Sequence, residues 1–330
     1  MNAPSTNRAS APGGDLAAAS VSAVANLGGV ALVFFCVQVV TGMLLVSYYR
    51  PDVNAASTSM AIIIDEVRLG WLVRSVHWWS SDLLILTGLL HLVRTYFSRA
   101  YAAPRQMAWV MGILLFVVIL GFGFTGTLLP WDQYAYWETE SSRETIAAIP
   151  LIGNFLLGLF LGGWDIGQEV LLRFYALHIG VLPWLALLWL ALHLGMLWRA
   201  RRAEVSQTSS ATQWLSAGLL DVFILGLLLS GVVMTLAILY PPELGAPADP
   251  LSPLPHVQPR WYFLPARLLL RHLSGGFGSL VVVVLFALFC FVPFIDRGDG
   301  RSPAAKLIRW LLGIAAVAAW VFLALRQYMS

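Results

Sequence analysis

The sequence predicts an all-α polytopic membrane protein: seven transmembrane helices, the first four forming a bundle and three more following it. Three observations predict this. The 330 residues are 59% hydrophobic and 11% charged, with a mean hydropathy of +0.77, whereas a soluble domain carries about 25% charge. Seven apolar stretches, near 27–49, 74–97, 107–128, 172–198, 215–240, 276–295 and 306–325, are long enough to cross about 30 Å of hydrocarbon. Four of the six histidines fall as two long-spaced pairs, one in the second stretch and one in the fourth.

In chain order, residues 1–25 are Ala/Ser-rich with one arginine and read as a tail. The apolar stretch that follows is too long for the core of a cleavable signal. Span one carries Gly28, Cys36 and Gly42; span two carries Arg74, His77, Asp82, His91 and Arg94; span three carries Gly112 and Gly126. The run from Ile146 to Trp164 is apolar, but Pro150, Gly153, Gly158 and Gly162–Gly163 interrupt it. Short surface helices suit it better than an eighth crossing. Span four, with His178 and His193, closes a first unit over 26–199. The polar segment ARRAEVSQTSSATQ reads as a linker within 200–214, and 215–330 forms a second unit with no histidine inside its spans. The loop 241–275 is long and proline-rich. Its length suggests function or disorder, and its WYF end favours an ordered loop over the membrane surface.

Arginine placement sets the orientation. Arg99, Arg105, Arg199, Arg201, Arg202, Arg297, Arg301 and Lys306 lie in loops that share one side, assigned to the cytoplasm together with the N-terminus. The C-terminus and the acid-rich stretch 132–169 fall outside. Cys36 and Cys290 lie within spans, where a thiol acts as a small hydrophobe. No Cys-x-x-Cys-His run is present for covalent c-type haem attachment. A net charge of +3, spread along the chain, gives no reason to expect nucleic acid.

The histidine spacing carries the chemistry. His77 and His91 are 14 residues apart, just short of four helical turns, so they share one face about 21 Å apart. His178 and His193 are 15 apart, rotated a further step. Two such helices side by side give two His–His clamps at different membrane depths. Neutral imidazole is an axial ligand of haem iron, so the reading is two b-type haems with these four histidines as metal ligands. A non-haem metal helix motif uses close spacings such as i, i+4. Gly28 and Gly42, and Gly112 and Gly126, repeat the 14-residue interval, as if each made room for a macrocycle at one depth. Close helix packing alone also favours such glycines. Arg74 and Arg94 each lie three residues from a histidine, placed for a haem propionate or for snorkelling to headgroups. His256 and His272 are given no ligand role.

With these residues in place, the chain resembles cytochrome b of the quinol-oxidising Rieske/cytochrome b complexes over most of 26–297. The motifs are GWLVRSVHWW (70–79), GTLLPWDQYAYW (126–137), RFYALHIGVLPW (173–184), PADP (247–250) and QPRWYFLP (258–265). Several look closer to the photosynthetic bf branch, with its two subunits fused into one chain. The resemblance implies an outer haem held by His77 and His178 and an inner one held by His91 and His193. It implies a quinol-oxidation pocket between PWDQ and the long loop, involving Trp261 and Tyr262, and an inner quinone site at Asp221, for which a helix-end polar contact is the plain alternative. It also implies a Rieske iron–sulfur protein, a c-type cytochrome or equivalent acceptor, a homodimer, and a bacterial inner or other energy-transducing membrane. The activity implied is that of the membrane subunit of a quinol–cytochrome c or plastocyanin oxidoreductase.

Departures from the family pattern bear on the outer pocket. The family motif Pro-Glu-Trp-Tyr is here Pro259-Arg260-Trp261-Tyr262, and arginine stays protonated at working pH. Glu138 stands after Trp137, where relatives carry a small residue. Two readings stay open: Glu138 as a relocated proton acceptor, or a Glu138–Arg260 ion pair that closes or repurposes the pocket. Asp82 also replaces a small residue, about 140° round the helix from His77. Asn26 replaces the cysteine that tethers a further haem in the bf branch, so no covalent haem is expected. The rival functions are a dihaem conduit whose outer pocket no longer oxidises quinol, and a membrane subunit that has lost its haems.

Overall fold

The computed structural model describes residues 26–147, 149, 153–162, 165–205, 211–255, 257–273, 277–297 and 302–329. Among them the secondary structure is helical, joined by one isolated bridge between Asp132 and Pro247. The helices are α1 (Leu27–Val46), α2 (Ala56–Asp65), α3 (Gly70–Phe97), α4 (Gln106–Leu128), α5 (Gln133–Ala147), α6 (Gly153–Phe160) and α7 (Gln168–Tyr175). A π-helical stretch, Ala176–Val181, links α7 to α8 (Leu182–Val205). Then come α9 (Ala211–Leu239), α10 (Leu264–His272), α11 (Phe277–Ile295) and α12 (Pro303–Met329).

Six of these rods are long and apolar enough to cross a bilayer: α1, α4, the α7–α8 rod, α9, α11 and α12. Helix α3 has the length, 28 residues, but Arg74, Asp82 and Arg94 lower its apolarity. It packs against α1, α2, α4, α9 and α12, so protein rather than lipid covers much of its charge. The other spans turn apolar groups outward: Val40, Met43, Trp184, Phe223 and Leu227 are exposed, as hydrocarbon solvent permits. The run 146–164 contains the ends of α5 and α6 rather than another crossing. Within the expected linker 200–214, α8 continues to Val205 and α9 begins at Ala211.

Two antiparallel helix pairs form the framework, α1 with α3 and α4 with α8. Helix α9 closes on α1 through small residues, with Gly29 against Val222 and Gly226 against Val33. At one end a buried cap gathers Leu128, Trp131, Tyr136, Leu157, Leu171 and Phe174. At the other end Asp296, just past α11, accepts from Arg99 Nε at 2.9 Å and from the Tyr101 hydroxyl at 2.7 Å. This ion pair ties the α3–α4 loop to the α11–α12 loop, so the two arginine-bearing loops do share a face.

Helix α2, which the sequence reading did not anticipate, turns into α3 through Leu69, whose φ is +62°. Gly70 is buried there, and a β-carbon on it would collide with the Ile63 carbonyl oxygen. Backbone cannot step aside as a side-chain tip can. Gly70→Ala is therefore expected to destabilise the protein by about 1–3 kcal/mol, read as a lower thermal unfolding midpoint in detergent; an unchanged midpoint would contradict this packing.

Candidate functional site

The four glycines of α1 and α4 each face one of the four histidines of α3 and the α7–α8 rod. A β-carbon on Gly28 would stand 3.1 Å from His91 Cε1, and one on Gly42 would stand 3.3 Å from His77 Cε1. Across the second pair the figures are 3.1 Å for Gly112 and His193 and 2.8 Å for Gly126 and His178. Antiparallel pairing explains the order, the first glycine of each span meeting the last histidine of its partner. Each glycine thus opens space for the Cε1 edge of an imidazole on the neighbouring helix.

The 15-residue spacing of His178 and His193 finds its cause in the π-helical stretch Ala176–Val181, which contains His178. A π turn closes i→i+5 bonds and absorbs one extra residue. The further rotation expected from 15 α-helical steps is cancelled, and both histidines face glycines that are themselves 14 apart. The wider turn also lies just before Pro183, whose ring and missing N–H disfavour a regular α-turn.

Threonines and a carbonyl fix the rings. The Thr41 hydroxyl donates to the Val37 carbonyl at 2.7 Å and lies 2.8 Å from His77 Nδ1. Thr125 repeats this, donating to Gly121 at 2.8 Å and lying 3.0 Å from His178 Nδ1. A hydroxyl has one proton. With that proton given to the helix, it accepts from the imidazole, so Nδ1 carries hydrogen and Nε2 keeps its lone pair. His193 Nδ1 lies 2.8 Å from the Ala108 carbonyl, which can only accept. His91 Nδ1 is buried with no hydrogen-bond partner.

The imidazoles of His77 and His178 have ring centroids 6.5 Å apart. Two imidazoles that share one metal, each nitrogen about 2 Å from it, have centroids about 6.3 Å apart. The donor set, the glycine faces and this spacing fit a bis-histidine haem iron. The sequence signal for the orienting threonines was available: Thr41-Gly42 and Thr125-Gly126 are the same dipeptide at matching places.

The expected arginine partners divide. Arg74, buried, donates to the carbonyls of Pro242 and Glu243, the latter at 3.2 Å. Irregular backbone has no ladder to satisfy its carbonyls, and Arg74 supplies donors. Arg94 is half-buried in the last turn of α3, where a helix C-terminus favours a cation. Asp221 falls in α9, and its side chain lies outside the described residues, as does that of His272; His256 lies outside altogether.

The long loop is docked on the PWDQ turn. Gln133 N donates to the Ala246 carbonyl at 2.8 Å, Ala248 N to the Trp131 carbonyl at 3.1 Å, and the Tyr134 hydroxyl to the Gln258 carbonyl. Trp131 adopts a φ of +51° at this junction. Tyr262 is buried with its hydroxyl against Gly123, one turn from the Gly126 that faces His178. Trp261 meets Trp320 of α12 edge to face at 6.0 Å.

Glu138 and Arg260 meet differently from the expected ion pair. The Arg260 guanidinium bonds Asp82 at 2.5 Å and lies over Trp78 at 4.4 Å. Burial opposes its charge, but Asp82 outweighs that and holds its pKa above the usual arginine value. Glu138, 4% exposed, accepts the Arg260 backbone N–H, at 3.1 Å on Oε1. Its Oε2 is buried without a partner among the described residues. Desolvation pushes this carboxyl up to about 7, against the opposing pull of Arg260 and Arg267. Burial and the neighbouring Glu138 raise Tyr134 to about 12. Sequence reasoning did not pair Asp82 with Arg260, which lies 178 residues away.

Fold and site together define an all-helical, multi-pass membrane protein with paired intramembrane histidines set against glycine faces. The sequence matches the family described as Cytochrome b/b6/petB over residues 14–201 and that described as Cytochrome b(C-terminal)/b6/petD over 247–328. It is 36% identical over 318 residues to the cytochrome bc complex cytochrome b subunit of Chlorobaculum thiosulfatiphilum, covering 91% of this chain and 72% of that one. It is 42% identical over 171 residues to cytochrome b6 of Prochlorococcus marinus, 52% of this chain and 78% of that one. A chain of a hyperthermophilic respiratory complex III superposes with a TM-score of 0.80 at 24% identity, over 93% of this chain and 84% of that one, a likeness of fold. The chain belongs to the cytochrome b/b6 family, for which b-type haems are expected.

With haem bound, Thr41→Val is expected to remove the acceptor for His77 Nδ1–H. Loss of such an orienting bond typically weakens metal retention about 10–100-fold, and a less electron-rich imidazole raises the bound iron's reduction potential. Haem content and a redox titration check this; an unchanged potential and full retention would contradict it.

Proposed function

We propose that the protein is the cytochrome b subunit of a bc-type quinol-oxidising complex. It binds one b-type haem between His77 and His178 and another between His91 and His193. The observation that carries this reading is the 6.5 Å centroid spacing of two imidazoles, each backed by a glycine and oriented by a threonine. When bound, the haems supply one-electron carriers at two membrane depths. The name of one relative, a cytochrome bc complex subunit, supports assembly into such a complex; a Rieske iron–sulfur protein, a c-type cytochrome or equivalent acceptor and a homodimer are the partners proposed.

The chain's own groups do the positioning. Apolar spans exclude water around the histidines, Thr41 and Thr125 keep Nε2 free of hydrogen, and Arg74 and Trp79 anchor the start of the long loop. The loop end, with Tyr262, Arg260 and Glu138, is assigned to the outer quinol site. The Arg99 end, with Asp221 on its helix, is assigned to the inner quinone site. A second reading has one observation in its favour: Arg260 is locked to Asp82 where the family has a titratable glutamate, which suits a conduit whose outer pocket is altered. Quinol-driven reduction of the purified complex separates the two.

The test is a reduced-minus-oxidised optical spectrum of the purified complex. Two b-type components are expected, with His77→Ala removing one and His91→Ala the other. A wild-type preparation without b-type absorption would overturn the proposal.

A further inference from the structure

At the loop end Asp82, Arg260 and Glu138 come together, and the first two pair with each other. Asp82 and Arg260 are mostly buried, at 15% and 18% side-chain exposure, and joined at 2.5 Å. Trp78 covers the guanidinium from one side. This pairing turns the Arg260 side chain towards α3 while its backbone N–H points to Glu138 Oε1. The outcome is a buried carboxylate with one oxygen oriented and the other, Oε2, unpartnered among the described residues. A buried acceptor without a donor is destabilising, so a group that brings a hydroxyl to it would be favoured there. The Tyr262 hydroxyl, on the same loop as Arg260, rests on Gly123, one turn from the Gly126 that faces His178.

We infer that Glu138 Oε2 is the acceptor for one proton of quinol at the outer site, and that the Asp82–Arg260 ion pair is a positioning device that keeps it free. The inference rests on the quinol-oxidising reading above. Oxidation of quinol to quinone releases two electrons and two protons. One quinol O–H bond breaks as an O–H bond forms at Oε2, giving a carboxylic acid. The second proton leaves to the outer aqueous phase. The electrons would leave singly, one to the iron–sulfur partner and one to the haem that His77 and His178 would hold. The groups that act on the acceptor are Arg260 and Arg267, which favour the carboxylate, and Asp132, which opposes it. Tyr134 and Tyr262 also feel its charge. Burial holds the carboxyl near 7, so it can both take a proton and release it close to neutral pH.

Infrared pH titration of the purified complex reads the group directly, without turnover. The wild type should show a carboxylic C=O band that disappears with a midpoint near 7, and Glu138→Gln should lack it. With the haem spectrum intact, Glu138→Gln should lower kcat for quinol oxidation about 100-fold or more and leave KM within about threefold. Glu138→Asp should recover part of the rate, which a packing role would not show. The wild-type rate should fall as pH drops below that midpoint, because the acceptor must be ionised. Asp82→Asn should release Arg260 towards Glu138 and lower the midpoint, while Asp82→Glu should retain it. No carboxyl titrating between pH 6 and 8, or a wild-type rate in Glu138→Gln, would overturn the assignment of Glu138. An unmoved midpoint in Asp82→Asn would overturn the role of the pair. Loss of b-type absorption in the wild type would instead sink the reading on which the inference rests.

Discussion

Four imidazoles must lie against neighbouring helix backbones inside a bilayer, and the rest of the structure follows from that constraint. An imidazole can reach a helix backbone only where the facing residue has no side chain, which selects Gly28, Gly42, Gly112 and Gly126. Two facing residues at one interval must meet two histidines at the same interval, which selects antiparallel partners. Where the histidine interval is one residue too long, the helix absorbs the excess in a π turn rather than misplacing a ring. Lipid offers no hydrophobic drive for helix association, so close packing carries much of the cohesion.

The loop end obeys a different rule. Its backbone is irregular and lies beside a membrane, so each buried carbonyl and N–H needs a protein partner. Arg74, Trp79, Gln133 and the Trp131 carbonyl supply them, and they hold the loop on the PWDQ turn. Two charges are accommodated by pairing Asp82 with Arg260. Removing either would leave the other uncompensated in low dielectric, which is far more damaging than removing both. The Asp82 and Arg260 departures are therefore coupled physically. Glu138 differs: among the described residues nothing partners its Oε2, and desolvation by burial raises its pKa.

Much of this was legible in the sequence, because hydrophobic length and helical period are local properties. Span positions, the histidine pairs and the matching glycines all read directly. The glycines were expected to clear a macrocycle; in the structure each faces an imidazole. What was not legible depends on contacts between distant segments. Arg74 looked suited to a propionate, but loop carbonyls 168 and 169 residues away reach it. Asp82 looked unrelated to Arg260 because only the fold brings α3 beneath the loop. The π turn escaped because the 15-residue interval was extended as regular α-helix. Helix α2 escaped because a ten-residue helix between spans has little apolar length to announce it.

Electron paramagnetic resonance of the oxidised, purified complex is the most direct test of the paired-imidazole geometry. Two distinct low-spin ferric haem signals, each assigned to two imidazole ligands and one lost with His178→Ala, are the result expected. High-spin iron with a single histidine ligand, or no haem signal, would contradict the account.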